Sequence, residues 1–112
     1  MKYFSTRNKL LEFSFKDIFL RGLAPDGGLF LPHKIKMYDR NEINNLSSLS
    51  YVDLATEILS NFCEDEIARD QLKKLIDKSY NNFKNKEVVN LKKIGNINLL
   101  ELYHGPTLAF KD

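Results

Sequence analysis

The chain has 112 residues, 43% of them hydrophobic and 29% charged, and its 17 basic and 15 acidic side chains leave a net charge of +2. This composition fits one small folded unit and excludes a disordered chain, and the even charge balance gives no electrostatic footprint for nucleic acid or an anionic membrane. The single cysteine, Cys63, excludes an internal disulfide, no Cys/His cluster suggests zinc, and no apolar run approaches the ~20 residues of a membrane span.

Residues 2–7 carry Tyr3, Phe4 and Thr6 in loose alternation, which fits a short strand. Ser14 opens a helix. Its hydroxyl caps the free N–H groups of the first turn, and Asp17 stands three residues on as a shortened capping box. Phe15, Ile18, Phe19 and Leu23 follow at helical spacing; Gly22 weakens the helix near its end, and Pro25-Asp26-Gly27-Gly28 terminates it. Gly28 to Pro32 reads as a short apolar strand between breakers. From His33 to Leu49 the chain is polar and irregular, with room for a short helix over 41–46.

Two longer helices come next. Ser50 caps the first, whose stripe is Tyr51, Leu54, Ala55, Ile58, Leu59 and Phe62. Acidic Glu64-Asp65-Glu66 precedes the second, where the helix dipole favours negative charge; its stripe is Ala68, Leu72, Leu75, Ile76, Tyr80 and Phe83. The short link predicts an antiparallel pair. Val88–Ile94 and Ile97–Tyr103 then read as two strands of a hairpin turning at Gly95-Asn96. The fold class is mixed α/β (α+β): a small domain of short strands, an antiparallel helix pair and a C-terminal hairpin. Cys63, at the edge of the first stripe, is expected to be a half-buried, inert thiol.

Two stretches invite a chemical reading. The glycine turn in Gly22-Leu23-Ala24-Pro25-Asp26-Gly27-Gly28-Leu29-Phe30-Leu31-Pro32 allows close approach of a backbone or a ligand, although an ordinary helix-to-strand turn explains it as well. The second is His104-Gly105-Pro106-Thr107-Leu108-Ala109-Phe110-Lys111-Asp112. There Gly105-Pro106 ends the strand, and Thr107 is placed to cap a new helix. Lys111 would fall in or near its first turn, partly buried by apolar neighbours, where a desolvated amine loses its proton more easily and can attack an aldehyde, although spacing alone fits a solvated surface lysine better. His104 has two open readings: an imidazole holding an anion at a site mouth, or a strand-end histidine bonded to backbone.

These stretches, with Tyr3-Phe4-Ser5-Thr6-Arg7 and the Ser50-Tyr51 helix start, resemble threonine synthase in order and spacing along the whole chain. The resemblance is to the N-terminal portion of that family. It implies a pyridoxal 5'-phosphate enzyme of the tryptophan-synthase-β-like fold type. Such enzymes convert O-phospho-L-homoserine and water to L-threonine and phosphate, the last step of threonine biosynthesis. It further implies that Lys111 is both the catalytic residue and the cofactor attachment point, through a Schiff base. Residues 1–103 would be the N-terminal domain and 104–112 the start of the catalytic domain. The other expectations are a cytoplasmic location, a small-molecule substrate with no nucleic-acid or membrane partner, no metal, and no activity from these 112 residues alone. Two alternatives stand beside this reading: a related phospho-lyase giving 2-oxobutyrate, and a non-catalytic remnant acting as an interaction module.

Overall fold

The computed structural model describes residues 1–112. Strand β1 (Tyr3–Ser5) is the centre of a three-stranded antiparallel sheet, between β2 (Glu12–Phe13) and β3 (Phe30–Pro32). The register pairs Tyr3 with Pro32, Phe4 with Leu31 and Ser5 with Phe30. Alternation along β1 turns Tyr3 and Ser5 inward, while Phe4 stacks on His33 outside. The two-residue β2 carries too little pattern to be legible in the sequence.

Helix α1 (Phe15–Arg21) starts in a complete reciprocal capping box between Ser14 and Asp17. It stops at Gly22, whose φ of 75° provides the C-cap, before the Pro25 turn is reached. Helix α2 (Arg40–Leu46) forms where a short helix had room, fixed by a second capping box between Asp39 and Glu42. Caps of this kind are each worth about 1 kcal/mol, which matters for helices of two turns.

Helices α3 (Tyr51–Cys63) and α4 (Arg69–Tyr80) form the predicted pair. Their antiparallel sense shows in the edge-on contact of Tyr51, at the start of α3, with Tyr80, at the end of α4. Lys73 Nζ to Asp53 and Arg69 to Glu57, each at 2.6 Å, lace the rim. These ion pairs are exposed and contribute little.

The buried face of α3 differs from the expected stripe. Its deepest positions are Thr56, Ser60 and Cys63, with Thr56 only 2% exposed, whereas Ile58 and Leu59 remain 39% and 42% exposed. Backbone bonding explains how hydroxyls serve there. Thr56 donates to Val52 O at 2.7 Å and Ser60 to Glu57 O at 3.0 Å, so neither carries an unmet donor inward. Cys63 is likewise fully buried, not half-buried. It forms the small core with Leu72 and Ile76, ringed by Phe15, Val52, Ala55, Ile67 and Tyr80. Burial pushes its thiol pKa up, which keeps it inert as expected. Burying Leu72 and Ile76 contributes about 2 kcal/mol each. The sheet joins this core through the Tyr3 hydroxyl, which donates to Phe62 O at 2.5 Å.

Strands β4 (Asn90–Ile94) and β5 (Ile97–Glu101) make the hairpin in the register that a two-residue turn at 95–96 dictates, pairing Asn90 with Glu101. Its exit is tied back to the end of the helix pair by Lys84 N–H donating to His104 O at 3.1 Å.

Candidate functional site

The hairpin delivers its last residue, Glu101, into the protein at 8% exposure, although the neighbouring strand positions are exposed. A buried carboxylate needs donors, and two arrive at one oxygen. Asn90 Nδ2, directly across the ladder, donates to Glu101 Oε2 at 3.0 Å, and His104 Nε2 meets the same oxygen at 3.0 Å. The His104 ring packs against Tyr103 with centroids 4.7 Å apart, and its side chain is 23% exposed. The strand-end reading of His104 therefore holds in part: the residue is anchored, but its side chain bonds a carboxylate and not the backbone.

After His104 the chain forms successive turns over Gly105–Lys111, not a helix. Leu108, with a φ of 62°, leaves the helical region one residue past Thr107, so no helix runs on from there. Asp112 folds back instead, accepting from Thr107 N–H at 2.9 Å and from the Thr107 hydroxyl. This loop closes over Gly105, where a β-carbon would collide with the Asp112 side chain. Thr107 thus clasps Asp112 in place of capping a helix. Lys111 is exposed, not partly buried. Its Nζ lies 5.8 Å from the Phe110 ring centroid and takes part in no ion pair or side-chain hydrogen bond.

The other two motifs come together 21 residues apart in sequence. Ser5, fully buried, donates to Asp26 Oδ1 at 2.7 Å, and Gly28 N–H donates to the same oxygen at 2.9 Å. Arg7 lies across Gly27 and donates to Asp26 O at 2.9 Å. Thr6 and Leu29 exchange bonds at 2.9 Å in both directions. The glycine turn is therefore filled by side chains of the chain's own Ser5, Thr6 and Arg7. Asp26 Oδ2 stays buried without a partner.

Three carboxyls in these networks titrate below their ordinary values. Glu101 is held down by the His104 ring first, then by Asn90 and the Tyr103 hydroxyl. The Ser5 hydroxyl and then the Gly28 N–H lower Asp26, and the Thr107 hydroxyl lowers Asp112. A carboxyl that titrates lower when folded contributes its full stability above its unfolded pKa. It loses that contribution as pH falls through the folded one. The Glu101→Gln variant should therefore lose less stability than the parent chain as pH falls through and below the ordinary carboxylate range. Parallel acid-unfolding profiles by circular dichroism would contradict the assignment.

Sequence reasoning singled out Lys111, His104 and the glycine turn and did not single out Glu101 or Asn90. The signal was available: the turn at 95–96 fixes which residues face each other, and an acid stands alone among Leu99, Leu100 and Leu102.

Comparison with known proteins bears on this arrangement. Residues 2–80 match the family model described as the threonine synthase N terminus. A threonine synthase of Schizosaccharomyces pombe is 44% identical over 114 residues, covering all of this chain and 22% of the relative. A protein of Pongo abelii named threonine synthase-like 2 is 42% identical over 114 residues, again covering the whole chain and 24% of the relative. The crystal structure of a pyridoxal-phosphate-bound threonine synthase from Brucella melitensis superposes with a TM-score of 0.91 at 39% identity, over 99% of this chain and 24% of that one. The chain thus spans about a quarter of the length of the relatives it matches.

Proposed function

The chain belongs to the threonine synthase family, and on that premise we propose that it forms part of a pyridoxal-phosphate lyase converting O-phospho-L-homoserine and water to L-threonine and phosphate. What supports this reading is Lys111, a lysine with no ion pair, inside a segment, residues 104–112, that resembles the family's attachment motif. In this reading residues 1–103 are the N-terminal domain and 104–112 open the catalytic domain.

The residues present fit one end of the cofactor. An exposed primary amine with no competing partner suits attachment to an aldehyde. The phosphate end needs a cradle of backbone N–H groups, and the turn at Gly27-Gly28 does not supply it because Ser5, Thr6 and Arg7 already occupy it. For that reason these 112 residues alone are proposed to be inactive. When bound, the cofactor supplies an electron sink for negative charge developing beside the substrate's reacting carbons. Lys111 would hold it through its amine, and that amine, when free, would move protons at the substrate's Cα and Cβ. Phosphate departs from Cγ and water adds at Cβ. The reading places the enzyme in the cytoplasm, in keeping with a lone unpaired thiol.

A second reading, a phospho-lyase releasing 2-oxobutyrate, is kept in view by the 42% identity to a threonine synthase-like 2 protein, close to the 44% for a threonine synthase. Product analysis of the full-length enzyme with O-phospho-L-homoserine separates the two. Threonine and phosphate in equal amounts are expected. Phosphate with 2-oxobutyrate and ammonia selects the lyase, and no phosphate release overturns both.

A further inference from the structure

We propose that Glu101 is a positioning residue that locks the His104 ring by its Nε2 edge so that Nδ1 faces the phosphate group of the substrate. The inference rests on the functional reading above, which makes the segment after His104 catalytic.

Four observations carry it. Glu101 is buried, and a carboxylate is removed from water only where partners hold it. Its Oε2 takes His104 Nε2 and Asn90 together at 3.0 Å each, so the carboxylate itself is fixed from the opposite strand. The His104 backbone is pinned by Lys84 and its ring by Tyr103. Nδ1 has no hydrogen-bond partner, and the side chain keeps a 23% exposed window. A histidine serving the fold alone gains from bonding both nitrogens. This one is bonded on one edge and open on the other, seven residues before Lys111.

A carboxylate behind an imidazole orients the ring and offsets the positive charge it carries when both nitrogens hold protons. The ligand chemistry that suits Nδ1–H in such a dyad is an oxyanion, here the phosphate ester of the substrate. When the Cγ–O bond breaks, its electron pair goes to the phosphate oxygen and the Nδ1 proton follows it. The ring is left neutral with Nε2–H still on Glu101, and solvent restores the lost proton.

The test uses Glu101→Gln, His104→Gln and the double variant in the full-length enzyme, with phosphate release as the assay. Glu101→Gln is expected to lower kcat by roughly ten-fold or more with KM little changed. His104→Gln is expected to lose at least as much, and the double variant no more than His104→Gln alone. Losses that multiply overturn the proposal, as does a Glu101→Gln effect confined to KM. Nitrogen-15 NMR of His104 supplies a readout independent of turnover. The parent protein should show the neutral ring protonated at Nε2, and Glu101→Gln should show mixed tautomers. A neutral parent ring that carries its single proton on Nδ1 and not on Nε2 overturns the proposal even where Glu101→Gln fails to fold. If the parent releases no phosphate but the ring is locked at Nε2, the functional reading has failed and the positioning has not.

Discussion

Lys111→Ala in the full-length enzyme is expected to abolish the phosphopyridoxyl label fixed by borohydride reduction and to lower kcat by about a thousand-fold or more. The size of that effect follows from a nucleophile with no substitute. Its specificity follows from geometry. Lys111 Nζ lies 5.8 Å from the Phe110 ring centroid, and no ion pair or side-chain hydrogen bond depends on it. Removing an exposed side chain of this kind changes stability by about 0.5 kcal/mol at most. In these 112 residues the thermal midpoint should therefore stay put, while turnover of the full-length enzyme collapses. Peptide mapping that places the label on any other lysine, such as Lys84 or Lys86 beside the hairpin, would refute the assignment.

Local signals in the sequence were enough for most of the elements, the two-residue β2 and the turns after His104 excepted. Ser14 with Asp17 and Ser50 with Asp53 mark helix starts because a cap acts within four residues, and both helices carry these side-chain caps. The turn at Gly95-Asn96 defines the hairpin for the same reason. Facing was harder to read. The apolar stripe of α3 is broader than the surface α4 covers, so Thr56 and Ser60 take the interior while Ile58 and Leu59 stay outside. Hydropathy treats hydroxyls as polar and cannot see that each is satisfied by the preceding turn of its own helix. For the candidate site, Lys111 and His104 were legible as a motif. Their settings were not, because burial at Glu101 and closure of Asp112 on Thr107 arise from contacts that the linear pattern does not carry. The link between Ser5 and Asp26 is of the same kind: both motifs stand out in the sequence, yet nothing in either says that it completes the other.

That link sets the largest expected loss of stability. Gly28→Ala would put a methyl group onto Ser5 Oγ and within 3.0 Å of both Asp26 Oδ1 and Thr6 Oγ1. These three atoms are the junctions of the clasp: Ser5 and Gly28 N–H both bond Asp26 Oδ1, and Leu29 N–H bonds Thr6 Oγ1. None can retreat cheaply. Ser5 is a fully buried β1 residue paired with Phe30, and Thr6 is held by its backbone bond to Leu29. Overpacking combined with broken buried hydrogen bonds costs about 3 kcal/mol, enough to threaten a fold with so small a core. Gly22→Ala is the proper contrast. It meets no atom within 4 Å but keeps a φ of 75°, so it carries backbone strain alone, about 1 kcal/mol. Urea unfolding of the two variants should place the Gly28→Ala midpoint well below that of Gly22→Ala. Equal midpoints would mean that the turn relaxes freely and that the clasp between the two motifs does not hold the sheet.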